Sequence, residues 1–387
     1  MLTYLLPTLN RSQRLRQTLE EIGSLSIAAH GAIGGAEVIV IDNASDQLDS
    51  SLRQSRAGGN PEACGEALDS PLRSNGMPLR VIRLPHNIGA AARNIGAQHA
   101  NGDWIIMLDD DSFPLNTNHI EVLLNADDDI AAIGADIVLP DGSRESGGLP
   151  EVFIGCGVAI RRQAFLDVGG YDRSFDYYAE EYDLCAKLIL GGWQIAHDRR
   201  FRVRHEKTAD GRNMDRILHR LVRNNGWVAQ RYAPDNCRSE ELAEIVSRYA
   251  RIAMKENAAC GFATGMEDLL QTLRGQPHRG MTTEQFDRFT GLTQVRNMVL
   301  DWSLGCDGSS AIALVDEGKN AWVIRQALRE NDFQIVENES DADALMIGTL
   351  SPGPMLDAFE RRSALGQPVL LPWQPGNTVQ AISALGQ

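Results

Sequence analysis

Three adjacent carboxylates, Asp109-Asp110-Asp111, end an apolar run that begins at Trp104 and continues through Ile105, Ile106, Met107 and Leu108. An apolar run of this length, bounded by polar residues, reads as a buried strand of a parallel sheet. Ligands of open α/β sheets bind in the crevice beyond the carboxyl edge of the strands. Carboxylates held this close repel one another, so a fold that gathers them usually supplies a cation. Hard oxygen donors suit Mg²⁺ or Mn²⁺. A solvated acidic turn is the plainer reading of three aspartates alone; the residues that accompany them in the first half of the chain reverse that preference.

Those companions also fall at the ends of apolar runs. Glu37–Ile41 is a second strand, with Asp42-Asn43-Ala44-Ser45-Asp46 at its carboxyl end. Leu2–Leu6 is a first strand leading into Pro7-Thr8-Leu9-Asn10-Arg11. Ser12 can cap the helix carrying Leu15, Leu19 and Ile22. Leu79–Leu84 is a third strand. The small residues from Asn87 through Gly89 to Gly96 then start a helix, where backbone can approach a ligand and N-terminal amides favour anions. Arg93 on it is a candidate phosphate or ribose partner. Residues 131–138 form a strand before the turn Asp141-Gly142. Residues 153–160 form another, whose glycines Gly155 and Gly157 mark close approach by a ligand or another backbone. Glu180, Glu181 and Asp183 open a helix that ends near Leu190, where acids complement the helix dipole. Short strands at 193–196 and 201–203 lead to His205. The β-α-β rhythm implies a parallel sheet with right-handed crossovers.

The remaining chain reads differently. Residues 50–78 are rich in Ser, Gly, Asn and Pro and are expected to form a helix and a long mobile loop. From Met214 the pattern is helical, with a polar break at 276–280. A small α/β unit follows, with strands at 311–315, 334–336, 344–347 and 369–371. The expected division is 1–237, a helical region 238–308 and a C-terminal α/β domain 309–387. At 387 residues the chain has room for about two or three domains. A net charge of −15 argues against a nucleic-acid partner. The six cysteines form no C-x-x-C pair, so reduced thiols of a cytoplasmic protein are expected. The opening residues lack the charged front of a signal peptide, and no apolar run reaches the length of a membrane span. Any membrane-bound acceptor would be met by peripheral contact.

In order and spacing, several motifs of residues 1–237 together resemble family two glycosyltransferases of the GT-A fold. They are Pro7-Thr-Leu-Asn-Arg11, Val40-Ile-Asp-Asn-Ala-Ser45, Asn87-x-Gly89 with Ala92-Arg-Asn94-x-Gly96, and Leu108-Asp-Asp-Asp111. Gly155-x-Gly157, Ile160-Arg-Arg162, Val168–Asp172, Glu180-Glu-x-Asp-Leu184 and His205 follow. The resemblance implies a Rossmann-like mixed α/β sheet and a metal-dependent inverting transfer of a sugar from a nucleotide-diphosphate donor to a hydroxyl. It implies that Asp111, Asp109 and His205 hold the metal, Asp109 acting through ribose or metal-bound water. Mn²⁺ is expected over Mg²⁺ because of the imidazole. Asp42 matches the base-reading aspartate, fitting a UDP-, dTDP- or GDP-sugar. Pro7, Thr8, Asn10, Arg11, Asn87, Gly89, Arg93 and Asp110 would line the donor pocket. Gly155, Gly157 and Tyr178 would face the acceptor, a glycan, polysaccharide or lipid-linked sugar. Where the family usually has aspartate as general base, this chain has Glu181; Asp183 is the alternate and Glu180 an orienting group.

Two other classes compete. A nucleotidyltransferase shares a nucleotide-binding sheet and paired acids, but it would want a glycine-rich basic loop where this chain has Pro7–Arg11. A non-catalytic nucleotide-sugar-binding module is favoured only by the Glu181 departure. The C-terminal unit, outside the resemblance, is either an interaction domain supporting a homo-oligomer or a remnant of a nucleotide-binding fold.

Overall fold

The computed structural model describes residues 1–25, 27–46, 73–74, 76–207, 213–303, 311–367 and 369–376. Apart from a short strand at 73–74 and residues 76–78, the helix and loop expected over 50–78 lie outside the described residues.

Nine strands among the described residues build one mixed sheet. In chain order they are β1 (Leu2–Thr8), β2 (Ala36–Asp42), β3 (Arg73–Ser74), β4 (Met77–Arg83) and β5 (Trp104–Leu108). Then come β6 (Ser112–Pro114), β7 (Ile130–Val138), β8 (Gly157–Arg161) and β9 (Gln194–His205). The spatial order is β3-β4-β2-β1-β5-β8-β7-β9-β6. β4, β2, β1 and β5 are mutually parallel, so Asp42 and the turn after Leu108 arrive at one edge. β8 runs antiparallel to β5 with Leu108 opposite Gly157, which brings its amino end to that same edge. β6 pairs with the end of β9, placing Ser112 opposite His205. With the helices and a smaller second sheet, this is the mixed α/β architecture that the sequence implied.

The sheet is buried on both faces, and strand alternation divides its side chains between two cores. Leu5, Ile39, Ile41, Ile105 and Met107 pack on one side. Tyr4, Leu6, Val38, Val40, Ile106 and Leu108 pack on the other. The helix Ala92–His99 lies on the first face, and Gly96 permits the approach: a Cβ there would collide with Leu5 Cδ1. Gly96→Ala should therefore cost about 1–3 kcal/mol of stability by overpacking, measurable as a shifted urea midpoint with unchanged slope.

Local differences from the sequence reading have physical causes. The first helix, Ser12–Ser24, starts at Ser12 itself; Arg11 holds the cap position, and no side chain caps the end. The strand expected from 153 begins only at Gly157, after a turn in which Gly157 N–H donates to the Ile154 carbonyl. The two short strands expected at 193–203 are one strand, β9. Its register against β7 shifts between Ala135 and Asp136, and the polar stretch His197–Arg200 at this irregularity hid its continuity.

Beyond the sheet, helices Met214–Tyr232 and Ala259–Thr272 pack closely, with Gly261 and Gly265 against the backbone of Asp215 and His219. Helices Arg238–Lys255, Thr283–Thr290 and Leu292–Ser303 complete this region. Four parallel strands, β10 (Ala311–Val315), β11 (Gln334–Val336), β12 (Ala344–Ile347) and β13 (Val369–Leu370), form the second sheet. Its helix Pro352–Ala364 docks on the large sheet. Arg144 bridges Asp136 (2.7 Å), Asp357 (2.7 Å) and Glu360 (2.8 Å), and Ser351 Oγ donates to the Gly147 carbonyl (2.6 Å).

Candidate active site

The turn after β5 is held from two sides by arginines. Arg11, just beyond the end of β1, pairs with Asp110 (2.5 Å) and with Asp111, and Thr8 Oγ1 donates to Asp110 (2.8 Å). Arg93, almost fully buried, donates to the Leu108 carbonyl (3.1 Å) and to Asp109 Oδ1 (2.5 Å). Burial, with repulsion from Asp111 and Asp109, pushes Asp110 up to about 7 against the pull of Arg11 and Thr8. Burial also disfavours charge on Asp111, yet His205 and Arg11 outweigh it and hold its carboxyl below the ordinary value. The acids thus stay together only because cations face them.

His205 closes this cluster from β9. Its Nε2 lies 3.4 Å from Asp111 Oδ1, its Nδ1 2.9 Å from Glu145 Oε2, and the Cys156 thiol 3.5 Å from Nδ1. Burial works against the imidazolium, but Asp111, Cys156 and Glu145 prevail and push the ring up to about 12. Lys207 also pairs with Glu145. Donor atoms of Asp109, Cys156 and His205 all lie within 4.8 Å of one another. Of these, Asp109 and His205 could serve a divalent cation, and Asp111, with Oδ1 3.4 Å from His205 Nε2, stands beside the ring as a further carboxylate. Burial raises the Cys156 thiol, which stays protonated and is a poor partner for such an ion.

Asp42 ends β2 fully buried. Ser45 N–H donates to its Oδ1 (2.9 Å); Oδ2 makes no hydrogen bond, although Arg83 Nε is 3.4 Å away. Asn10, at φ 56°, ties the loop after β1 to the one after β2: its N–H donates to Ser45 Oγ (2.8 Å) and its side chain exchanges hydrogen bonds with Asp46. Pro7 stands opposite Ile41 in register. Asn87 is exposed and its Oδ1 accepts from Gly89 N–H (2.8 Å). Gly89 has φ +63°, and a Cβ there would meet the Asp176 carbonyl at 2.5 Å. Any larger residue would push away the segment that leads into the acidic helix.

That helix, Glu180–Leu190, follows a backbone in which Asp176, Tyr178 and Ala179 all take positive φ. Such conformations persist only where the surroundings enforce them. Asn224, fully buried, does so by donating to the carbonyls of Phe175 (3.0 Å), Tyr177 (3.0 Å) and Tyr178 (2.7 Å). Gly155 N–H donates to Glu181 Oε1 (3.3 Å), and a Cβ at Gly155 would stand only 3.0 Å from that oxygen. Gly157 packs against Ile137 and Ala135 beneath. Burial raises both Glu180 and Glu181; mutual repulsion adds to it at Glu180, and Arg93 opposes it at both. Glu180 Oε2 has no hydrogen-bond partner. Tyr178 is partly exposed beside them.

Asp183 lies elsewhere. It is fully buried, accepts from Arg231 Nη1 (2.8 Å) and Tyr232 OH (2.7 Å), and pairs with Lys187 (2.9 Å). The structure thus gathers Thr8, Arg11, Arg93, Asp109, Asp110, Asp111, Gly155, Glu180, Glu181 and His205 at one sheet edge and turns Asp183 into the helix packing. The sequence reading had no signal for Glu145, brought in by the hairpin after β7. Asn224 carried none either, and Cys156 was visible only as the middle of Gly155-x-Gly157.

Residues 3–163 match the family described as glycosyl transferase family 2. A curated protein of Haemophilus influenzae described as an uncharacterized glycosyltransferase is 23% identical over 217 residues, 49% of this chain and 62% of that protein. The chain thus matches under two thirds of that relative's length. Among solved structures, a mannosyltransferase of Pyrobaculum calidifontis in complex with GDP-Man and Mn²⁺ covers 70% of this chain and 86% of its own, at 14% identity and a TM-score of 0.46. GalNAc-T7 with UDP, GalNAc and Mn²⁺ covers 71% and 57%, at 17% identity and a TM-score of 0.48. S. aureus TarS 1-349 in complex with UDP-GlcNAc covers 79% and 87%, at 14% identity and a TM-score of 0.47. No helix among the described residues is long and apolar enough to cross a membrane.

Proposed function

We propose that the chain transfers a sugar from a nucleotide-diphosphate donor to a hydroxyl acceptor with inversion, in a metal-dependent reaction. The observation that carries this reading is the meeting at one edge of the Asp109–Asp111 turn, His205 and the Glu181 carboxylate seated on Gly155. We assign units 1–237, 238–308 and 309–387 to catalysis, to a helical cover and to a docked α/β domain.

The unbonded oxygen of Asp42 would accept an N–H of a uracil, thymine or guanine base, with Thr8, Asn10 and Pro7 shaping the pocket. Arg93 and Arg11 would orient phosphate or ribose while keeping the acids in place. A divalent cation held by Asp109, Asp111 and His205, Mn²⁺ before Mg²⁺, would neutralise the charge growing on the departing diphosphate. Glu181 would take the acceptor proton as the hydroxyl attacks the anomeric carbon opposite the leaving group. Glu180 would orient that acceptor, with Gly155, Gly157 and Tyr178 on its side. Asp183 is committed to Arg231, Tyr232 and Lys187 and is not our base.

Incubation with a panel of UDP-, dTDP- and GDP-sugars, with Mn²⁺, Mg²⁺ or chelator, tests the reading. Release of sugar and nucleoside diphosphate in the metal-containing arms is expected; nucleotide binding without turnover in any arm would point to a binding module instead. Burial raises Glu181, so its base form is present above that raised value and lost as pH falls through it. The acid limb of kcat should therefore lie above the ordinary glutamate value of about 4.3, which an initial-rate pH profile reads directly.

A further inference from the structure

The helix Glu180–Leu190, the helical region and the C-terminal α/β unit meet around a half-open cavity of about 630 Å³, the open solvent at its mouth included. Its walls include Tyr182, Tyr249, Phe289 and Trp322, together with the cations Arg248 and Lys319. Tyr182 is the residue after Glu181, so the cavity adjoins the proposed base through one peptide unit.

Lys319 is the unusual group. Its ammonium donates to Tyr182 OH and lies 4.6 Å over the centre of the same ring. Burial pushes the Tyr182 phenol well above its ordinary value, so that hydroxyl is neutral and no counter-ion. Among the described residues no carboxylate comes within ion-pair distance of Lys319. Burial lowers the ammonium to about 8, repulsion from Arg248 adds to this, and Glu181 offsets part of it. A half-buried cation with no ion-pair partner favours an anionic ligand beside it. Arg248 stands 3.7 Å from Glu244; Glu241 also lines the cavity, and burial raises its carboxyl against the pull of Arg248. The N-terminal turn of the helix Ala321–Glu330, with Trp322 in it, forms part of the wall; its cap residue Asn320 makes no side-chain cap bond. The positive end of a helix favours an anion as well. The aromatic walls suit the apolar faces of a sugar ring; Tyr182 and Phe289 meet edge to face, with centroids 6.1 Å apart.

We infer that this cavity binds a negatively charged sugar residue of the acceptor, its carboxylate or phosphate on Lys319 and Arg248 and its ring against the aromatic walls. The inference rests on the glycosyltransferase reading above and narrows its acceptor to anionic saccharides. The C-terminal unit thereby supplies Lys319 and Trp322 to a substrate subsite that the N-terminal domain cannot complete alone.

Titration of the full chain with glucuronate, glucose 6-phosphate and glucose by saturation-transfer NMR, and separately with UDP and GDP in Mn²⁺, tests the inference. At least one charged sugar should bind tenfold or more tightly than glucose, and the stronger of the two identifies carboxylate or phosphate. Lys319→Met should remove that preference, Lys319→Arg should retain most of it, and neither should alter nucleotide affinity. Equal binding of glucose by the unaltered protein, or an undiminished preference in Lys319→Met, overturns the inference. The comparison within the unaltered protein decides even where the Met variant does not fold. Absence of nucleotide binding would instead overturn the glycosyltransferase reading, and it is measured independently.

Discussion

Replacing Glu181 by Gln should leave donor affinity unchanged and lower turnover by roughly 10²-fold or more, the scale of a lost general base. Gln keeps the length and the oxygen that accepts from Gly155 N–H, so the local fold is preserved while the proton acceptor is removed. The raised Glu181 carboxyl also predicts that its step in the acid limb disappears from the variant's pH profile, leaving only what Asp110 and Glu180 contribute. Asp183→Asn should behave in the opposite way. It removes charge from a site that faces Arg231 and Lys187 in the interior, so its main effect is on stability, of order 3 kcal/mol for breaking a buried pair. Steady-state kinetics beside urea unfolding of both variants separate the roles. A stable Asp183→Asn protein with turnover below that of Glu181→Gln would move the base to Asp183.

This division between Glu181 and Asp183 marks how far the sequence could be read. The sheet was legible because strands buried on both faces are continuous apolar runs, and Asp42 and Asp109 stand where those runs end. The acidic helix was legible too, but not which way its acids turn. Asp183 is claimed by Arg231 and Tyr232, 48 and 49 residues downstream, and no local pattern announces such a pairing. Glu145 is equally silent: it reaches His205 across 60 residues only because the hairpin after β7 folds back over the edge. β9 was broken in two by its polar irregular middle. Docking of the C-terminal unit depends on contacts such as Arg144 with Asp357, 213 residues apart, so its proximity to the site had no sequence signal. What sequence reveals is the local period and the end of each run; what it hides is the long-range choice of partner.

The second large effect follows from the same edge. Asp111→Ala should abolish the metal-dependent part of nucleotide binding, a loss of about 10²-fold or more, given that even outer-shell changes at metal sites cost 10–100-fold. Asp111 is the carboxylate shared by Arg11 and His205, so its removal takes away a proposed ligand and releases the ring that should stand beside it. His205 loses the largest of the contacts that raise its imidazolium, so its pKa should fall. A neutral ring is a better metal ligand, yet the site would have lost one of its two hard oxygens, and we expect the missing carboxylate to dominate. Nucleotide titrations by calorimetry with Mn²⁺ and with chelator read the first effect; the imidazole resonances followed against pH read the second. The binding that remains in chelator should match that of the unaltered protein, since Asp42 and Thr8 sit on other strands and keep their partners. Unchanged nucleotide affinity in Mn²⁺ would remove Asp111 from the metal site, and with it the reason proposed here for three carboxylates to share one turn.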